Sequence, residues 1–193
     1  MAKNAGSNPT DHCRSLILDG KMISIDPSSG KSGVAGYAEF DGGYLVSYGV
    51  LSIPFSTQAY KRFQNLRKKI ISDFDTDYRV LVIELLKGRS RNYNVKPVLK
   101  QAAAVTAASF NWEECVHLTP MSWQAIAKRI GGWVKDDAID AVYQGYAAIA
   151  FANGYKSTWK KEAQLAFLEE LATEYKWKIG DWNGSNSGTE VSN

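Results

Sequence analysis

Two short apolar runs, each reaching an acidic residue, constrain the fold of this 193-residue chain most strongly. Met22–Asp26 is followed by Pro27, which stops regular strand pairing. Arg79–Leu85 is apolar enough to be a strand buried on both faces, and it contains Glu84 near its end. Ligands gather at the carboxyl ends of strands in open α/β sheets, so Asp26 and Glu84 are expected at a common edge.

Periodicity and turn residues predict the remaining elements. The strands Gly33–Phe40 and Tyr44–Ile53 are joined by Asp41-Gly-Gly, which indicates a hairpin. Three antiparallel strands followed by alternating helices and strands predict an α/β fold, with a mixed central sheet that is antiparallel first and parallel later, flanked by helices. The other predicted elements are the strand Cys115–Leu118 and helices over Thr57–Phe74, Val95–Phe110, Lys135–Asn153 and Ser157–Tyr175, with one more opening at Thr119-Pro-Met-Ser-Trp.

The length suits one domain with a sizeable core and short additions at both ends. Residues 1–20 are polar and predict a flexible N-terminal arm, and residues 21–153 form the domain. Residues 154–182 predict a helical extension packed on that domain. The Gly-, Ser- and Asn-rich tail 183–193 is expected to be disordered.

Three acidic residues open the predicted helix Lys135–Asn153. Asp137 and Asp140 are three positions apart and share a face, but Asp136 and Asp140 would be neighbours too, so the sequence leaves open which of Asp136 and Asp137 points inward. The helix dipole also favours acids at a helix start, which accounts for Asp140 less well than for the other two. Carboxylates kept together are costly unless a cation neutralises them, and hard divalent ions are the usual partner.

Three motifs, in order, resemble the RuvC-type Holliday-junction resolvases of the ribonuclease H-like nuclease superfamily. Ile23-Ser-Ile-Asp-Pro-Ser-Ser-Gly-Lys-Ser-Gly-Val-Ala-Gly-Tyr resembles the first hairpin of that family, and Leu81-Val-Ile-Glu resembles its second acidic strand. Asp137-Ala-Ile-Asp-Ala resembles its closing Asp-Ala-x-Asp-Ala helix. The resemblance covers roughly Met22 to Ala152 and implies a ribonuclease H-like fold.

The resemblance also implies an activity. Asp26, Glu84, Asp137 and Asp140 would be both catalytic residues and ligands of two Mg²⁺ or Mn²⁺ ions, with Asp26 bridging them. A homodimer would nick opposed strands of a four-way DNA junction. We expect it to pair through the 95–110 or 136–153 helices. The aromatic wedge of the family is missing after Glu84, so Leu86 or Tyr93 takes that role or the junction is opened otherwise. The long arm before Asp26 and the extension after Asn153 suit a phage or divergent member.

Positive charge is concentrated in the middle of the chain. Between Thr57 and Lys100, eleven Lys and Arg face four Asp and Glu, a local net charge of +7 that suits a polyanionic partner. Several lysines and arginines of the helix Thr57–Phe74 are explained equally well as a solvated face. The candidate DNA-binding residues are Lys31, Lys87, Arg89, Arg91, Lys96, Lys128 and Arg129.

Several other sites are disfavoured. Cys13 and Cys115 are too few for a disulfide framework and lack zinc-site spacing, so we expect small buried thiols in a reducing cytoplasm, bacterial or of a phage-infected host. Ser28-Ser-Gly-Lys-Ser lacks the first glycine of a phosphate-binding loop, so no nucleotide cofactor is expected. No apolar run approaches a membrane span. Most tryptophans are expected in the core or at interfaces, with Trp182 the most exposed.

Three alternatives stay open from the sequence. A nuclease of the same fold could act on flaps, forks, RNA–DNA hybrids or other branched substrates, since one fold supports many functions. A ribonuclease H-like domain could also bind branched DNA without cutting it. An ATPase half of related fold would need a second lobe and further phosphate loops, for which 193 residues leave little room.

Overall fold

A mixed sheet with the strand order β3-β2-β1-β4-β5 organises the chain. The computed structural model describes residues 10–27, 34–54, 56–74, 77–84, 112–180 and 182. β1 pairs antiparallel with β2 and parallel with β4, β2 pairs antiparallel with β3, and β4 pairs parallel with β5. The strands are β1 Lys21–Asp26, β2 Val34–Asp41, β3 Tyr44–Ser52, β4 Val80–Glu84 and β5 Glu114–Leu118.

This order and these strand directions confirm the predicted fold class, an α/β domain with a mixed central sheet flanked by helices. The described helices are α1 Asp11–Asp19, α2 Ala59–Asp73, α3 Pro120–Ile130, α4 Asp137–Ala152 and α5 Lys161–Glu174. None of them is both long and apolar enough to cross a membrane.

The β2–β3 hairpin turns where the sequence predicts it. Asp41 pairs with Tyr44, so only Gly42 and Gly43 form the loop. Their φ angles of 55° and 84° are the positive values that a tight primed turn requires at both central positions. Residues with a side chain adopt this conformation reluctantly, which explains the Gly-Gly pair.

The two faces of the sheet carry different layers. On one face, Ile23 and Ile25 of β1 pack with Leu66 and Ile70 of α2. On the other, Met22 of β1 joins the larger core formed with α1, α3 and α4. Because side chains alternate along a strand, Ser24 and Asp26 point to the same face as Met22, towards α4.

Helix α4 is the centre of that larger core. Every residue from Ala138 to Ala150 except Asp140 is buried. Because little of α4 is exposed, the helix offers few side chains to a partner subunit. Dimerisation through 136–153 stays a prediction, and the alternative helix 95–110 lies outside the described residues.

The N-terminal arm differs from its prediction. Residues 11–19 form α1, capped by the Thr10 side chain, which accepts a hydrogen bond from the Cys13 nitrogen. Cys13, Leu16 and Ile17 of this helix are buried in the core, so the prediction of a flexible arm is wrong for these residues. Only three apolar residues are spaced as in a helix here, and polar residues surround them, so the sequence pattern is too weak to predict α1.

The C-terminal segment after α5 also contributes to the core. Trp177 stacks on Tyr146 of α4 with ring centroids 4.4 Å apart. Trp182 is 9% exposed, and its Nε1 donates to the Gly132 carbonyl at 2.7 Å, so the prediction that it is the most exposed tryptophan is wrong. The predicted tail 183–193 lies outside the described residues.

Candidate metal centre

Asp26 and Glu84 end the two central parallel strands. The parallel register pairs Ile25 with Ile83, so the next residues, Asp26 and Glu84, stand side by side at the carboxyl edge. Both are buried, with 2% and 4% of their surfaces exposed. The alternation along each strand directs both towards α3 and α4. The predicted meeting of two strand-end acids is therefore present.

The start of α4 lies against the same corner of the sheet. Asp26 is the register partner of Gly36 in β2, and such partners have Cα atoms about 4.5–5.5 Å apart. A Cβ added at Gly36 would fall 2.7 Å from the backbone nitrogen of Ala138 and still closer to the Asp137 carbonyl group. The absent side chain at Gly36 thus lets α4 begin beside the backbone that carries Asp26.

The three helix-start acids have different surroundings. Asp136 is the N-cap of α4, and its Oδ1 accepts hydrogen bonds from the backbone nitrogens of Ala138 at 2.9 Å and Ile139 at 3.3 Å. Asp137 and Asp140 occupy the first turn and are half-buried. Because capping occupies the Asp136 carboxylate, Asp137 is the better of the two candidates for a ligand.

Neutral donors orient three of the four acids. Gln144 Nε2 donates to Asp26 Oδ1 at 3.1 Å, and Trp123 Nε1 donates to Glu84 Oε2 at 2.6 Å. Trp133 Nε1 donates to Asp140 Oδ1 at 2.8 Å. Amide and indole groups carry no charge, so these bonds fix the carboxylates without neutralising them.

Sequence reasoning missed these donors. Gln144 is fully buried inside an otherwise apolar stretch of α4, and within the described part of the chain its Oε1 has no hydrogen-bond partner. A lone polar residue four positions after Asp140 on a core-facing helix was the available signal. The tryptophans were assigned to the core, but a buried indole N–H normally finds an acceptor, which points to a nearby acid.

The oxygen donors of this arrangement suit a divalent metal ion. Carboxylate oxygens suit Mg²⁺ or Mn²⁺, and Gln144 Oε1 is an additional buried oxygen of the right type beside Asp26. Within the ranges that the structure describes, however, no group of three or more His, Cys, Asp or Glu side chains is placed to hold a metal ion. The donor chemistry fits the metal, while the joint coordination by all four acids stays a prediction.

Cys115 and His117 lie on the opposite side of the sheet from the acids. Cys115 packs against the core on the α2 side, and burial raises the pKa of its thiol to about 11. His117 lies two residues further along β5 and so faces the same side, away from Asp26 and Glu84. Partial burial lowers its pKa, so it is neutral at pH 7.

The candidate DNA-binding residues are only partly described. Lys128 is exposed near the end of α3, and Arg129 is half-buried, donating from Nη1 to the Ala125 carbonyl at 3.0 Å. The basic residues of α2 lie on the sheet face opposite the acids, and Lys69 pairs with Asp73 at 2.7 Å. This favours the solvated-face interpretation of α2. Lys31, Lys87, Arg89, Arg91 and Lys96 lie outside the described residues, as do Leu86 and Tyr93.

Comparison with known proteins adds a distant structural likeness. No model of a known family matches the sequence, and no curated protein matches it. Among solved structures, the chain is similar to T. thermophilus RuvC in complex with a Holliday junction substrate, with 13% identity and a TM-score of 0.42. The similarity covers 81% of this chain and 94% of that chain. A likeness this distant carries no functional information, so the site residues themselves must support any function.

Proposed function

We propose that this protein is a metal-dependent endonuclease that nicks opposed strands of four-way DNA junctions. The observation that carries the proposal is the burial of Asp26 and Glu84 side by side at the carboxyl ends of β1 and β4. Carboxylate oxygens are the ligands that Mg²⁺ and Mn²⁺ prefer, so two neighbouring carboxylates on adjacent rigid strands are suited to hold such a cation.

In this proposal the four acids come from two parts of the fold. Asp26 and Glu84 hold cations from the rigid sheet, and Asp137 and Asp140 approach from the first turn of α4. When bound, divalent ions supply Lewis-acid activation of water and stabilise the leaving oxygen. Gln144 keeps the Asp26 carboxylate in one orientation through its amide hydrogen bond at 3.1 Å.

The substrate follows from motif resemblance and charge rather than from a described interface. The three motifs resemble junction resolvases, and the chain carries basic residues after Glu84 at Lys87, Arg89, Arg91 and Lys96. Together with Lys31, Lys128 and Arg129, they would hold the sugar–phosphate backbone. Symmetric nicking of a junction needs two active sites, so we propose a homodimer. We also propose a cytoplasmic location.

A synthetic four-way junction and a linear duplex of the same sequence test the activity in Mg²⁺ and Mn²⁺. Paired nicks in the junction alone support the proposal. Asp26→Asn, Glu84→Gln, Asp137→Asn and Asp140→Asn each remove one negative charge from the candidate site and should abolish cleavage. Cleavage at wild-type rates by Asp26→Asn and Asp140→Asn would refute the assignment.

Asp136→Asn is the matched control. Asparagine caps helices about as well as aspartate, so this variant keeps the fold and loses only the neighbouring charge. It should cleave at nearly the wild-type rate. Loss of activity in Asp136→Asn together with full activity in Asp137→Asn would exchange the roles of these two residues.

The second candidate is a module that binds branched DNA without cutting it. One observation favours it: no three acidic, histidine or cysteine side chains within the described residues are placed for a metal. Tight junction binding that needs no metal, with no nick in Mg²⁺ or Mn²⁺, would support this candidate. Cleavage of flaps or forks but not of the junction would retain the chemistry and change the substrate.

A further inference from the structure

Two tryptophans contact the acids from a part of the chain that contributes no acid of its own. Trp123 is in α3 and is 1% exposed; its Nε1 donates to Glu84 Oε2 at 2.6 Å. Trp133 follows α3 and donates from Nε1 to Asp140 Oδ1 at 2.8 Å. One indole therefore donates a hydrogen bond to an acid of the sheet, and the other donates to an acid of α4.

The two indoles also contact each other. Their ring centroids are 5.9 Å apart and their planes meet at 83°, an edge-to-face arrangement that aromatic pairs favour. A continuous line of contacts thus runs from Glu84 through Trp123 and Trp133 to Asp140. This line joins the strand-end half of the candidate site to its helical half.

Both indoles are held in place by further contacts. The start of α3 is fixed by a capping box between Thr119 and Ser122, one residue before Trp123. The glycine pair before Trp133 is fixed from two sides. The Tyr143 hydroxyl donates to the Gly131 carbonyl, and Trp182 Nε1 donates to the Gly132 carbonyl, both at 2.7 Å.

An indole suits this position chemically. It donates one hydrogen bond, accepts none and bears no charge, so it selects one carboxylate orientation and leaves the negative charge intact. Hydrogen bonds to an ionised acceptor are also stronger and more directional than those between neutral groups. A lysine or arginine at the same place would neutralise the acid and compete with a metal ion.

We infer that Trp123 and Trp133 are positioning residues that hold Glu84 and Asp140 in the orientation in which they accept a divalent cation. The inference rests on the proposed function, because it assigns these acids to metal. It adds a role for two tryptophans that neither the sequence motifs nor the fold class provides.

Mn²⁺ binding without DNA tests the inference. Trp123→Phe and Trp133→Phe keep an aromatic ring and remove the N–H donor. Loss of the partners that orient metal ligands typically weakens metal affinity by about 10–100-fold, and we expect this loss in each variant, measured by calorimetry or by the free Mn²⁺ resonance signal. Trp177→Phe is the matched control, because Trp177 is 6% exposed and its Nε1 has no hydrogen-bond partner among the residues that the structure describes. The Mn²⁺ affinity of this variant should equal that of wild type.

A spectroscopic measurement on the unmutated protein covers the case in which a variant does not fold. In protein labelled with 5-fluorotryptophan, Mg²⁺ should shift the ¹⁹F resonances of Trp123 and Trp133 and leave that of Trp177 in place. Resonances of Trp123 and Trp133 that do not respond to Mg²⁺ at saturating concentration contradict the inference.

The results separate this inference from the proposed function. If wild-type protein binds Mn²⁺ and both phenylalanine variants bind it with wild-type affinity, the positioning role is overturned and the metal site stands. If wild-type protein binds no Mn²⁺ or Mg²⁺, the proposed function and the inference fail together. Weaker binding in Trp123→Phe and Trp133→Phe but not in Trp177→Phe supports both.

Discussion

Gly36→Ala should destabilise the fold strongly, because it inserts one methyl group between β2 and α4. The added Cβ would lie 2.7 Å from the Ala138 nitrogen and closer still to the Asp137 carbonyl group. All of these are backbone atoms, so no side-chain rotation relieves the contact. Non-bonded atoms prefer separations of about 3.5–4.0 Å, so the strand and the helix must separate by roughly 1 Å or more.

The free energy of unfolding should fall by about 2–3 kcal/mol. Overpacking of a close-packed interior typically costs about 1–3 kcal/mol, and a contact with rigid backbone belongs at the upper end. The smaller backbone entropy of alanine in the unfolded chain offsets only about 0.4–1 kcal/mol. Against a total stability of about 5–15 kcal/mol, this loss is readily measured by urea denaturation.

Gly49→Ala is the control for the same substitution in a strand. A Cβ at Gly49 would lie 3.2 Å from Cε1 of the Tyr37 ring, a side chain that can move slightly. We expect a change of less than about 1 kcal/mol. If Gly36→Ala and Gly49→Ala unfold at the same urea concentration as wild type, the close approach of Asp137 to β2 is refuted, and with it the juxtaposition of Asp137 and Asp26.

Three further predictions concern charge, pH and helix capping. Asp26→Asn should lack the roughly 2.7 kcal/mol of stability that wild type gains at a Mn²⁺ concentration of 100 Kd; equal stabilisation of both proteins by Mn²⁺ in thermal melts contradicts the ligand role. Burial raises the pKa of Tyr143 to about 12, above the usual value near 10, so its contribution to stability is complete below pH 10 and is lost as the pH rises towards 12. Between pH 9 and 11.5, the free energy of unfolding of Tyr143→Phe should fall less steeply with pH than that of wild type, by up to about 1.4 kcal/mol per pH unit. Identical slopes of the two proteins in urea denaturation would disprove this. Thr119→Ala should lower the free energy of unfolding by about 1 kcal/mol, because the N-cap of α3 is lost, and Thr119→Ser should keep the wild-type stability. Equal stability of the two variants in urea denaturation would contradict the capping role.

The sheet could be predicted from sequence because its strands are marked locally. An apolar run that ends in an acid identifies β1 and β4, and two glycines with positive φ identify the β2–β3 turn. Helix α1 was missed because it has few buried residues, and these are stabilised by contact with α4 and the sheet rather than by its own sequence. The burial of Trp182 depends on a carbonyl 50 residues earlier, which no local pattern reveals.

In the candidate site, too, the locally marked residues could be predicted and the residues that depend on distant contacts could not. The acids could be identified because each stands at the end of a strand or the start of a helix, where sequence patterns are informative. Their hydrogen-bond donors could not, since Gln144 is 118 residues from Asp26, and Trp123 is 39 residues from Glu84. The cap formed by Asp136 was within reach of sequence reasoning, because aspartate directly before an apolar helix is a frequent N-cap.

The proposed cation site has a thermodynamic consequence for the whole fold. Amide and indole donors orient both carboxylates through hydrogen bonds and bring no charge of their own. A divalent cation that binds the native site and not the unfolded chain adds its binding free energy to the stability of the domain. The contrast between Asp26→Asn and wild type, with and without Mn²⁺, measures that contribution directly.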